Sequence, residues 1–189
     1  MKQKEQELKI LLTKRQYEML TDGFPAVLQE NFYFSTKAPD KNVMVRIRQK
    51  KCRFNLTVKR RQEEKDGIWV CDEFDCEIDQ NQAQIYIDKG IAQRRVNELF
   101  GIDIGGDYHF VGLLTTHRTK RQFQEYVLEI DKNEYFDVCD YELECEHQNK
   151  EKLQQLKDLL KQNYDVDFCP SKAKSQRFFE KLNENVTQN

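Results

Sequence analysis

Glu5-Gln6-Glu7-Leu8-Lys9-Ile10-Leu11-Leu12 alternates charge with hydrocarbon near the start of the chain. Successive side chains of a β-strand point to opposite faces. Read as a strand, this stretch gathers Glu5, Glu7 and Lys9 on one face and Leu8, Ile10 and Leu12 on the other. The same alternation returns along the chain. Val43, Val45 and Ile47 oppose Arg46 and Arg48. Phe54, Leu56 and Val58 oppose Asn55, Thr57, Lys59 and Arg61, and Phe74, Cys76 and Ile78 oppose Glu73, Asp75 and Glu77. Val111 and Leu113 lead a strand whose other face carries Arg118 and Lys120. Leu128 and Ile130 oppose Glu129 and Asp131, and Tyr141, Leu143 and Cys145 oppose Glu142, Glu144 and Glu146.

These patterns predict strands at about 3–12, 42–50, 53–62, 68–79, 110–122, 124–131 and 138–147, with a weaker one at 30–35. Helices are predicted at about 14–22, 82–88, 90–100, 149–163 and 172–184. The fourth carries Leu153, Leu156, Leu159 and Leu160 on one side, and the last offers Phe178, Phe179 and Leu182. Many long strands with fewer helices read as α+β, built on a large antiparallel sheet or barrel. Seven glycines and three prolines leave no linker to divide 189 residues, so one domain over 1–189 is expected.

Composition narrows the function. Thirty-one Lys and Arg against 33 Asp and Glu give a net charge of −2, which argues against a generic nucleic-acid or membrane-surface binder. No run approaches the ~20 apolar residues of a transmembrane helix, and the charged opening has no apolar core of a secretory signal. A cytoplasmic protein is expected, with its six cysteines reduced. No cysteine pair or histidine has metal-ligand spacing, and His109, His117 and His147 read as structural or surface residues.

A half-exposed sheet with its charges in water would show such alternation strand by strand. Two features favour a closed barrel. Charge signs segregate by strand, and several helices have apolar faces in need of a surface to cover. Helices outside a barrel draw the apolar strand faces outward and leave the charged faces in the lumen. A lumen of both signs must hold water, metal or a highly charged ligand, because unpaired buried charge is very costly. Carboxylates suit Mg²⁺ or Mn²⁺, and Arg and Lys suit phosphate. The class of site is therefore one for a metal–polyphosphate complex.

The E-x-E-x-K of Glu5 to Lys9 resembles the signature of the CYTH superfamily, the triphosphate tunnel metalloenzymes. The resemblance continues through Arg46-Ile47-Arg48, Leu56 to Arg61, Arg118 to Arg121, Leu128-Glu129-Ile130-Asp131, Glu142-Leu143-Glu144 and Ser171-Lys172. It implies an eight-stranded antiparallel β-barrel with helices packed outside, and Mg²⁺- or Mn²⁺-dependent hydrolysis of tripolyphosphate, thiamine or nucleoside triphosphates. Some members make cyclic AMP from ATP, as class IV-type adenylate cyclases do. Carried over by motif, Glu5, Glu7, Glu142 and Glu144 would be metal ligands and, with Lys9, the catalytic set. Glu129 and Asp131 would serve a second metal or hold the cations in place. Lys9, Arg46, Arg48, Lys59, Arg61, Arg118, Lys120 and Lys172 would bind phosphates.

The expected ligand is a small molecule bearing a triphosphate, inorganic tripolyphosphate first, with no membrane and no obligate nucleic acid. A cyclase and a non-catalytic polyphosphate- or nucleotide-binding module are the competing readings. An RNA-binding basic hairpin is the alternative for Arg46, Arg48, Lys59 and Arg61. Glu73, Asp75 and Glu77 match no motif. Trp69, on the parity of Glu73, would stand near an entrance as the obvious stacking platform for an organic head group.

Overall fold

The computed structural model describes residues 2–65, 68–169 and 172–187, with the side chains of residues 2–5 and Glu64 outside the description. The strands are β1 (Lys2–Leu12), β2 (Ala26–Ser35), β3 (Val43–Lys50), β4 (Arg53–Lys65), β5 (Ile68–Ile78), β6 (His109–Phe123), β7 (Tyr126–Tyr135) and β8 (Val138–Glu146). The helices are α1 (Lys14–Thr21), α2 (Gln80–Lys89), α3 (Gln93–Phe100), α4 (Lys150–Tyr164) and α5 (Lys174–Thr187). All eight strands pair antiparallel in the order β1-β5-β4-β3-β2-β6-β7-β8, and β8 returns to β1 to close the barrel. Closure leaves no sheet edge exposed.

Hydrocarbon on the outward strand faces is covered by helices. Leu8 and Ile10 of β1, Leu128 and Ile130 of β7 and Leu143 of β8 are fully buried against Leu153, Leu156 and Leu160 of α4 and Leu20 of α1. On the opposite side Val45, Ile47, Leu56 and Val58 pack with Ala83 and Tyr86 of α2 and Val96 of α3. Helices α1, α2 and α4 begin at side-chain caps: Thr13 forms a capping box with Gln16, Asp79 accepts from the Gln82 backbone amide, and Asn149 from that of Glu151.

β7 runs on to Tyr135, beyond the expected end at 131, and two further elements differ from the sequence expectation in ways that shape the lumen. The weak strand at 30–35 is a full ten-residue β2. Its inward residues Gln29, Asn31 and Tyr33 are uncharged, so the charge alternation that marked the other strands was missing. The second is α5, which does not lie on the outside of the barrel. Its first turns enter the lumen, and Phe178 packs on Tyr33, Leu114 and Tyr135 to fill part of the interior. Gly112 of β6 makes the room: a Cβ there would stand 2.9 Å from the Phe178 ring, and the residue holds φ +155°.

Candidate active site

The barrel encloses a cavity of about 450 Å³. Strand pairing divides its wall into a mainly cationic side and a side where both signs interleave. Adjacent strands β3 and β4 contribute the cations, with Arg46 facing Thr57 and Arg48 facing Asn55 in register. Lys59 and Arg61 follow two and four residues beyond Thr57, and all four cations line the cavity. Burial, then the neighbouring charges of Arg46 and Arg118, push the Arg48 guanidinium down to about 9. Arg48 Nε donates to Asn31 at 2.9 Å, whereas Arg46 Nε is buried and meets no acceptor among the described residues. Lys59 pairs with Glu73 at 2.7 Å, and the Arg61 guanidinium lies 4.3 Å above the Trp69 ring.

The other wall comes from β1, β8, β7 and β6, again through register. Lys9 faces Glu144, Glu144 faces Glu129, Glu142 faces Asp131, and Asp131 faces Arg118. Lys9 is paired with both Glu144 and Glu7, the latter at 2.9 Å. Arg118 grips Asp131 with two nitrogens, at 2.8 and 2.6 Å, and reaches Glu144 at 2.6 Å and Glu129. Burial alone would raise Glu144, but Lys174, Lys9 and Arg118 hold it well below the usual carboxylate range. Glu7 is lowered by Lys9 and Lys59 against the same opposing burial, and Asp131 by Lys174 and Arg118. Lys9 and Lys174 are raised in return, their carboxylate neighbours outweighing burial.

Lys174 is the centre of this wall. Its ammonium contacts Asp131, lies 2.6 Å from Glu142 and 3.6 Å from Glu144, and lines the cavity. Arg177, one helical turn on, binds Asp140 at 2.9 and 3.0 Å and Glu142 at 2.7 Å. Asp131, Glu142 and Glu144 can bring one oxygen each within 4.8 Å of one another. Three carboxylates that already surround a cation have the chemistry a hard divalent ion requires. Glu7 and Glu144 reach the cavity, while Asp131 and Glu142 are fully buried.

The structure thus gathers Glu7, Lys9, Glu129, Asp131, Glu142, Glu144 and Arg118 into one ion network and sets Arg46, Arg48, Lys59 and Arg61 across from it. The Glu5 side chain lies outside the described residues. Lys120 stands at the rim, exposed, and pairs with Glu129 at 2.5 Å. Lys172 does not enter the barrel: it pairs with Glu180 at 2.7 Å on the surface. Lys174 takes the interior position, because α5 starts there and turns residue 174 inward. Lys174 and Arg177 were missed, although their i, i+3 spacing, with Phe178 beside them, marks one helical face. Asp75 accepts from Asn55 at 2.6 Å and Thr57 at 2.7 Å, and Glu77 is exposed. Trp69 does face the cavity, but one face of its ring carries Arg61, so it is no open stacking platform. Aromatic surface at the cavity comes instead from Tyr33, Phe34, Tyr108 and Phe179.

A closed eight-stranded barrel with a polyionic lumen is the architecture of a known class, and residues 3–179 match the model of the CYTH domain: the chain belongs to the CYTH family. It is 25% identical to the Bacillus subtilis (strain 168) protein named "Putative triphosphatase YjbK", over 95% of this chain and 96% of that one. Two solved structures superpose with a TM-score of 0.76. One, from Bacillus halodurans, is described as a "putative adenylate cyclase"; it is 25% identical, over 94% of this chain and 98% of that one. The other is HpAC1 from Hippeastrum, a "putative adenylyl cyclase" described as revealing a dominant triphosphatase activity; it is 26% identical, over 94% and 95%.

Proposed function

We propose that this chain is a metal-dependent triphosphatase with inorganic tripolyphosphate as its preferred substrate. The observation that carries the reading is the cationic wall. Arg46 and Arg48 crowd one another and Arg118 closely enough to depress Arg48, and Arg46 Nε has no acceptor among the described residues. Like charges held together in a buried cavity call for an anion that neutralises several of them at once.

Arg46, Arg48, Lys59 and Arg61 would grip the phosphate oxygens along one side of the chain of phosphates. Lys9 and Arg118, fixed by Glu7, Glu144 and Asp131, present positive charge from the other. Glu7 and Glu144, with Asp131 and Glu142 behind them, are the carboxylates that would hold a divalent cation; such an ion neutralises phosphate charge and lowers the pKa of bound water. The chain's own residues orient the triphosphate and exclude bulk water, and positioning with electrostatics supplies most of the rate in phosphoryl transfer.

A nucleoside triphosphate is the second reading. Phe34, Met44, Tyr108 and Phe179 give part of the cavity an apolar lining that an organic head group could meet. Initial rates with tripolyphosphate and ATP under one metal condition decide between them. The expected result is a higher kcat/KM for tripolyphosphate, with ATP yielding phosphate rather than cyclic AMP. Cyclic AMP as the main product, with tripolyphosphate inert, would replace this reading with a cyclase. Binding of both without turnover would replace it with a sensor.

A further inference from the structure

Trp69 is the only tryptophan in the chain. It sits on β5 with Glu7 as its register partner on β1, and it shares the inward parity of Cys71 and Glu73. Its side chain is more than nine-tenths buried, at 7% exposure. One face of the ring supports the Arg61 guanidinium at 4.3 Å. The indole Nε1–H is buried and meets no acceptor among the described residues. Buried donors almost always find partners, and a barrel wall rich in carboxylates and hydroxyls offers many. Arg46 Nε and the Tyr33 hydroxyl, from residues that line the same cavity, are likewise buried without a partner among the described residues. Unmet hydrogen-bonding groups on several strands around one cavity mark a ligand that supplies the acceptors.

From this we infer that Trp69 is a binding residue: its Nε1–H donates to an anionic oxygen of the bound triphosphate, while its ring holds Arg61 in position to grip the same ligand. The inference rests on the triphosphate reading of the cavity. A neutral N–H aimed at an oxyanion makes a charge-assisted bond without adding a further cation to a wall where like charges already crowd. The ring supplies a flat support that restricts the long Arg61 side chain, so less of its freedom is lost on binding. Trp69 therefore acts on the phosphates of the ligand and does not read a base or another planar head group.

The single tryptophan gives a single indole N–H resonance, which makes the test direct. Tripolyphosphate is titrated into ¹⁵N-labelled protein in EDTA, and affinity is measured by calorimetry on wild type, Trp69→Phe and Trp69→Leu. The indole resonance should move downfield on saturation. Trp69→Phe, which keeps a ring beneath Arg61 but loses the donor, should weaken binding by roughly tenfold or more, the worth of a hydrogen bond to a charged group. Trp69→Leu should weaken it further. Should either variant fail to fold, the wild-type resonance alone decides. An indole resonance that stays in place while calorimetry shows binding, or a folded Trp69→Phe protein that binds as wild type does, overturns the Trp69 contact and leaves the triphosphate site standing. Folded wild type that binds no tripolyphosphate overturns the site reading and this contact together.

Discussion

Lys172 and Lys174 are two residues apart and have opposite surroundings. Lys172 is exposed beside Glu180, whereas Lys174 is buried among three carboxylates. Removing one partner of a buried ionic group leaves the others uncompensated, at about 3–5 kcal/mol. Lys174→Met should therefore lower the melting temperature of metal-free protein by roughly 6–20 °C, at the 2–4 °C per kcal/mol typical of this size. Mn²⁺ should restore part of the loss by occupying the vacated charge. Lys172→Met should stay within about 0.5 kcal/mol of wild type. Equal melting temperatures for the two variants would deny Lys174 its central place. Glu7 touches Lys9 at the cavity surface, so Glu7→Gln removes charge while keeping volume. Turnover should fall by ~10²-fold, the scale of losing one electrostatic contact to the reacting group, and melting temperature should fall less than for Lys174→Met, because Lys9 keeps Glu144 as a partner. Retained wild-type turnover would remove Glu7 from the site.

At the scale of elements, α5 decides the shape of the lumen. Phe178 stacks with Phe136 at 5.0 Å and meets Tyr33 in a tilted pair at 4.8 Å, and its seat depends on the missing side chain of Gly112. Gly112→Ala should destabilise by about 1–3 kcal/mol, from overpacking and from the strained backbone. Phe178→Leu in the same chain should recover part of that, read as a positive coupling in a double-mutant cycle of denaturant melts. Strict additivity would mean that the two do not share space. The strands show a complementary lesson. β1, β4 and β8 were legible because charge alternates with hydrocarbon along them. β2 was only partly legible because Gln29, Asn31 and Tyr33 face the lumen without charge. The inward role of α5 was illegible, because a helix that covers hydrocarbon and one that carries Lys174 and Arg177 into a barrel have the same amphipathic period.

For the whole molecule, an interior ion network ties stability to pH and activity to metal. Glu7, Asp131 and Glu144 are held below their ordinary values of 4.5, 3.8 and 4.5. A depressed carboxylate contributes stability above its unfolded pKa, and that contribution disappears as pH falls toward the folded pKa. Melting temperature in EDTA should thus be level from pH 7 to about 5 and fall steeply below about 4. A flat profile down to pH 3 would mean that these ion pairs add nothing to the fold. Activity should vanish in EDTA and return with Mg²⁺ or Mn²⁺, and full activity in chelator would end the metal-dependent mechanism.

The sequence by itself determined the strand faces and the kind of chemistry they carry, because side-chain direction in a strand follows from its two-residue period and needs no partner. That rule sorted Glu7, Lys9, Arg46, Arg48, Lys59, Arg61, Arg118 and Glu144 onto inward faces. Only the tertiary structure decided which charges meet. Pairing β8 with both β1 and β7 brings Glu144 beside Lys9 and Glu129; closing the barrel sets the cationic strands opposite; and the entry of α5 puts Lys174 in the carboxylate cluster. The Lys9–Glu144 contact joins residues 135 positions apart in the chain, and the register between distant strands is fixed by barrel closure and packing, which no local pattern encodes.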